Sequence, residues 1–457
     1  MSALWATLSL LAILAAGNAV ASAVCDERDL RRGLACVLGP VTIAFALFVA
    51  SLAGLPLTTP VCRATCGVAI AVGLWSSWRA HVASRARQDA RSSADGLVYA
   101  IVPLACVALG VTFLALSPPA NDAFSNWGLK ALVLARDGTV RSPDLFEDGR
   151  FLFHPNYPLS VPLAQAFVHA CVGETAEGPA RGVFVLAQIG AGLVLFGALR
   201  TRVAPRVAAA AAAILVATPS FWRSGVDLRF PGSIPAGYAD PMFTALVAAT
   251  VATALTWAHR PTARSAAAIG VCVGFALFTK NEGQPFAVAI LGAAGLAFVV
   301  ERLRRRATAS PRTLAIAALV AGCIAAPWFA FRTELPARDE NYQQQISRER
   351  VAEHAWRTPV IATAAVGEAL AVDRHGLTWI ALSLAVVLRF RRTTRAPIPF
   401  LLAALGAMAF VYALVFVVTP LPIVDSLATS IPRTFFHVTP LAVAALALLC
   451  DRREADP

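Results

Sequence analysis

The stretch RFRRTTRAPIPFLLAALGAMAFVYALVFVVT, residues 389–419, sets four arginines directly before an uncharged apolar run over 398–419. A helix needs about 20 mostly apolar residues to cross the hydrocarbon core of a bilayer, and it satisfies its own backbone while doing so. The arginines in front of the run anchor that helix end on the cytoplasmic side. The segment therefore reads as a transmembrane helix.

Outward from it the same pattern recurs. Apolar runs lie at 3–24, 34–58, 64–77, 97–117, 159–173, 183–199, 207–222, 240–258, 266–279, 284–300, 314–331, 376–390 and 434–450. Of 457 residues, 58% are apolar and 14% charged, and the mean hydropathy is +0.66, above what a soluble domain with a solvated surface carries. The runs are continuous rather than alternating, which excludes a lipid-exposed β-barrel. The expected fold is an all-α polytopic membrane protein of about 12–14 transmembrane helices with loop helices outside.

The net charge of +12 would suggest nucleic acid in a soluble protein. Here the arginines sit between spans, so orientation explains them and no nucleic-acid partner is expected. Arg28, Arg31 and Arg32, then Arg79 to Arg91, the ERLRRR run from Glu301, and Arg389 to Arg395 mark cytoplasmic loops, which leaves 118–158 and 332–375 outside. The opening MSALWATLSLLAILAAGNAVASA resembles a signal peptide but lacks a basic leading region, and it reads as a first helix. Three apolar segments between the outside loops at 118–158 and 223–238 break the parity. The basic RTRVAPR at 200–206 puts the chain inside there, so 159–173 is expected to be re-entrant or interfacial.

Nine scattered cysteines show no CxxC pair and no Cys/His spacing suited to zinc. Cys62 and Cys66, one helical turn apart, read as packing residues. No metal site is assigned and no cofactor is firmly implied; a divalent metal stays open.

The first large outside loop, SPPANDAFSNWGLKALVLARDGTVRSPDLFEDGRFLFHPNYPLSVPL, holds the densest chemistry. A helical pattern runs from Asp122 to Asp137-Gly138 and puts Asp122, Asn126 and Lys130 on one face, with Trp127 suited to the headgroup level. Of 39 basic residues only Lys130 and Lys280 are lysine. A compact ammonium differs from a planar guanidinium when it must be desolvated against phosphate. Lys280 lies in the tight turn FTKNEG, where Glu282 either pairs with it or shares a site with it, and Asp240 in PAGYADPM opens a span as a cap or as a second carboxylate.

This set, an Asp in the loop followed by WGLKA, then HPNYPL, GYAD before a span and TKNEG in a turn, resembles the GT-C superfamily of membrane glycosyltransferases. The nearest group is the bacterial branch related to protein O-mannosyltransferases and lipid A aminoarabinose transferases. The motifs cover about 118 to 283, with an echo in IPRTFFHVTP from Ile431. The resemblance implies a catalytic membrane module over 97–300, with helices of 1–96 before it and helices of 301–457 after it.

It implies an inverting transferase of a bacterial inner membrane, with its active site on the extracytoplasmic side. The donor would be a polyprenyl-phosphate-linked sugar and the acceptor a glycan, lipid or protein of the envelope. By similarity Asp122 would be the general base, with Asp240 as a second catalytic carboxylate. Lys280, and with it Lys130, would balance charge on the departing lipid phosphate. Trp127, His154, Tyr157 and Glu282 would line the donor or acceptor pocket and Arg433 would help with the phosphate or close the site, with Lys130 the less critical lysine because its face leans towards water.

The chain departs from the family in an extra amino-terminal block of three spans and in having no large soluble carboxy-terminal domain. A multi-span secondary transporter is the competing reading, although the sequence shows no paired halves. An envelope-assembly protein without catalysis is the third.

Overall fold

The structure is a computed structural model; it describes residues 1–85, 123–147, 154–221, 237–303, 310–336, 346–393 and 397–451. Every regular element among these residues is helical, and nine helices are long and apolar enough to cross a membrane. They are Ser2–Val24, Arg28–Leu52, Thr59–Ala80, Glu177–Leu199, Asp240–His259, Gly283–Val300, Pro311–Arg332, Ile398–Val418 and Ile423–Cys450. Shorter apolar helices are Ser160–Val172, Pro205–Val216, Ala263–Leu277 and Thr378–Leu388. The chain is an all-α polytopic membrane protein. The expected run at 97–117 lies outside the described residues.

Small residues let the central helices close up. A Cβ on Gly17 would come within 2.6 Å of the Gly39 backbone nitrogen, and one on Gly190 within 2.9 Å of the Val37 nitrogen, so the first, second and Glu177–Leu199 helices meet almost backbone to backbone. Phe48 packs on Phe278 and Phe331 at 5.2 and 5.5 Å, joining the second helix to the ends of two others.

Polar contacts sort the helix ends into two rims. On one, Arg200 binds the buried Asp29 at 2.5 Å, Arg264 binds Asp26, Arg202 donates to the Leu255 carbonyl, and Arg392 donates to the Leu449 carbonyl at 3.5 Å. On the other, the Leu57 amide donates to the Gly138 carbonyl at 2.7 Å, the Val140 amide donates to Ser51, and Arg141 pairs with Glu334 at 2.5 Å. Among the described residues, the arginines around 28, 200, 264 and 392 thus share one rim, and the described parts of the expected outside loops share the opposite rim.

The parity problem resolves at Ser160–Val172. Its first residue, Ser160, donates to Thr279 at 3.0 Å, and the carbonyls of Cys171 and Val172 at its far end accept from Arg63, whose guanidinium also lies 4.3 Å over Trp5. Thr279 follows Phe278, which packs on Phe48 near the end of the second helix; Trp5 and Arg63 sit near the starts of the first and third. Both ends of the segment therefore lie on one rim, and it does not cross.

Candidate functional site

The loop helix begins with a π-helical turn, Ala123–Gly128, and continues as Leu129–Asp137. Gly138 ends it at φ +64, a left-handed conformation that glycine adopts without a Cβ clash. Asp122 lies outside the described residues. The widened turn replaces the regular spacing expected between Asn126 and Lys130, and both are buried, as is Trp127 at 1% exposure. The water-facing position for Lys130 is therefore corrected: this helix turns Asn126, Trp127 and Lys130 inward.

The Lys130 ammonium nitrogen donates to the His154 carbonyl at 2.6 Å and lies 6.0 and 5.7 Å from the Trp127 and Tyr157 rings. His154 closes a turn in which the Tyr157 amide donates to its carbonyl, and the two rings stack at 4.6 Å. Burial pushes the Lys130 amine down to about 7.

The second group of residues meets at Asp240. Asp240 is the first residue of its helix and is fully buried, but it does not cap that helix. Its Oδ1 accepts from Lys280 Nζ at 2.8 Å, from His437 Nε2 at 2.6 Å and from Arg433 Nε at 3.1 Å, while Oδ2 accepts from Arg433 Nη2 at 3.2 Å. A carboxylate only accepts, so His437 carries its proton on Nε2; its Nδ1 then accepts from the Tyr412 hydroxyl at 3.2 Å.

Lys280 also donates to Glu282 at 2.7 Å inside the turn, where the Gly283 amide closes onto the Lys280 carbonyl at 2.9 Å. Glu282 is the partly exposed member, at 32%. Burial alone would raise its carboxyl, but Lys280, with His437 and Arg433 behind it, overrides that and holds it at about 2.

Arg433 and His437 reach Asp240 together because Ile423–Cys450 is one continuous helix that puts residues four apart on one face. The run expected at 434–450 thus begins eleven residues earlier in the chain, at Ile423, and passes through Pro432 and Pro440. His437 and Tyr412 are missing from the sequence-based candidates, since both sit inside runs that read as plain spans. The Arg-x-x-x-His spacing within IPRTFFHV was the available signal.

The two groups share a rim. Ala123, next to Asp122, packs on Tyr238, and Arg433 lies 5.8 Å from the Tyr238 ring. Ser160, three residues after Tyr157, donates to Thr279, the neighbour of Lys280. Eight of the nine candidate residues thus fall into two groups, Asp240 with Lys280, Glu282 and Arg433, and Lys130 with Trp127, His154 and Tyr157; no cluster able to hold a metal occurs among the described residues.

A further buried charge cluster went unread in the sequence. Glu368 pairs with Arg374 at 2.6 Å and His375 at 2.7 Å, beside a cavity of about 620 Å³ walled by Val360, Ala364, Leu427 and Ile431. Within the expected outside loop 332–375, Arg348–Glu353 is a short helix with no buried residue, and an apolar helix, Thr358–Ala369, carries this buried carboxylate.

Comparison with protein-family models, curated proteins and solved structures finds no match to the chain. The arrangement of charge at the rim is therefore what a functional reading rests on.

Proposed function

We propose that the chain is an integral membrane glycosyltransferase that moves a sugar, with inversion, from a polyprenyl-phosphate carrier to an acceptor. The acceptor would be a glycan, lipid or protein on the extracytoplasmic side of a bacterial inner membrane. The observation that carries this reading is the pair of cations, Lys280 and Arg433, fixed on one buried carboxylate at the rim where the 123–147 loop packs. Ionisable groups this close to the hydrocarbon are expensive unless they are used.

In this reading Asp240 anchors the cations and does not act as the proton acceptor, because both its oxygens already receive charged or imidazole donors. Glu282, partly exposed and hydrogen-bonded to Lys280, is the group a carrier phosphate displaces. Lys280 then exchanges one anion for another, and Arg433 stabilises the charge that grows on the phosphate as the bond to the sugar breaks. The resemblance would make Asp122 the general base.

The buried Asp240–His437–Tyr412 chain favours a second reading, a secondary transporter that couples to protons. The test is to incubate purified protein with a panel of polyprenyl-phosphate sugars and follow their consumption. Loss of one donor supports the transferase. Loss of none by folded protein supports transport.

A further inference from the structure

The neighbourhood of Lys130 has a surplus of hydrogen-bond acceptors. Asn126 Oδ1 and Asn156 Oδ1 are buried, in residues 4% and 8% exposed, and neither has a donor among the described residues. Buried polar groups in native folds are almost always paired, so each such group calls for a partner. Asn126 lies one turn before Lys130, and Asn156 lies within the His154–Tyr157 turn whose carbonyl holds the Lys130 amine.

The backbone adds two costs at the same place. His154, at φ 53, is the one non-glycine residue with a positive φ among the described residues, and the turn over Ala123–Gly128 is π-helical. Strained conformations and π-turns cluster at functional sites. Lys130 has no carboxylate partner among the described residues, and one carbonyl takes one of its protons. Its nitrogen lone pair, when the amine is neutral, is a third acceptor.

We propose that Asn126, Asn156 and Lys130 form a subsite for the hydroxyl groups of a sugar-type acceptor, and that the Lys130 amine takes the proton of the attacking hydroxyl. This rests on the transferase reading and places the base at Lys130 rather than at Asp122. The acceptor O–H proton passes to Lys130 Nζ while the oxygen forms its bond to the anomeric carbon. The bond from that carbon to the carrier phosphate breaks, and its electron pair leaves on the phosphate.

Three acceptors without donors fit a ligand that brings several hydroxyls and fit a bare anion poorly. The turn that walls the subsite presents His154 and Tyr157, both partly exposed, so its outer face reaches solvent. Desolvation leaves the amine near neutrality at about 7, within range for proton transfer. The titratable groups on the segments around it are His154, Tyr157, Arg136 and Asp137, with His169 and Cys171 on the Ser160–Val172 helix. His169 is tied to the Ala176 amide, and Arg136 and Asp137 are paired with each other.

The chain holds two lysines only, so amine chemistry can be read site by site. Reductive methylation with formaldehyde, followed by mass spectrometry across a pH series, is run with and without a mixture of methyl hexosides. Methylation of Lys130 is expected to rise through pH about 7 and to slow severalfold with the hexosides, and the Asn126→Ala/Asn156→Ala variant should lose that protection. An amine that reacts only at alkaline pH, or with no protection in the wild type, overturns the subsite.

The transfer assay supplies the second arm. Lys130→Arg keeps a charge but cannot take a proton, so it should bind carrier and lose about 10²–10⁴-fold in rate. Asp122→Asn should keep the rise of rate with pH. A Lys130→Arg enzyme with the wild-type rate and pH profile refutes the proton role. A wild type that transfers from no donor refutes the transferase reading instead, and leaves the methylation result to judge the hydroxyl subsite alone.

Discussion

Asp240 receives donors from Lys280, Arg433 and His437, and this decides what each substitution in the cluster does. Asp240→Asn takes the common anion from the buried Lys280 and the partly buried Arg433, so it should lower stability by about 3–5 kcal/mol, read as an earlier melt. A variant that melts normally yet has lost turnover would make Asp240 a catalytic carboxylate instead of an anchor. Lys280→Ala should weaken carrier binding, and Lys280→Arg should restore only part of it, because the planar group keeps the charge without the shape. Glu282→Gln acts the other way: with its competitor neutral, Lys280 should hold carrier phosphate more tightly.

The Glu282 carboxyl lies below its ordinary value of 4.5, at about 2. Its contribution to stability is therefore present above pH about 4.5 and is lost as pH falls towards 2. Acid melting of the wild type should be steeper across that window than that of Glu282→Gln, and equal slopes would show that Lys280 does not hold the carboxylate. The sequence exposed Asp240, Lys280 and Glu282 because charge is rare beside apolar runs. It concealed His437 and Tyr412, whose polar atoms sit within those runs and gain meaning only from a neighbour on another helix.

Among the helices, hydrophobic length identified the spans, and arginine placement sorted their ends, since lipid leaves few alternatives to a helix. Periodicity could not show that Ser160–Val172 returns to its own rim, because the apolar run looks the same whether it crosses or not; Arg63 and Thr279 decide it. Close packing gives a direct check. Gly17→Leu, set against the backbone of Gly39, should cost about 1–3 kcal/mol or prevent assembly, whereas Gly67→Leu, with nothing within 4 Å, should be neutral. Equal melts for the two would contradict the placement of the first two helices.

The rims can be tested by cysteine labelling in a background lacking the exposed Cys323 and Cys450. The exposed Glu147 is the position to label on the loop rim, with the exposed Ala263 on the arginine rim. An impermeant reagent on intact cells should reach Glu147→Cys and not Ala263→Cys. The reverse pattern would invert the molecule and remove the extracytoplasmic site with it.

For the whole molecule, the bundle brings the loop helix, the TKNEG turn and the last helix to one rim, so that residues more than 300 apart in sequence, from Ala123 to Arg433, lie around Tyr238. The decisive measurement is donor consumption by purified protein with polyprenyl-phosphate sugars, run beside Lys280→Ala and with melting followed in parallel. The transferase account predicts that one donor is consumed by the wild type, with the sugar recovered on an acceptor, and is spared by folded Lys280→Ala. No donor consumed by folded wild type, together with solute uptake into proteoliposomes driven by a proton gradient, would contradict it.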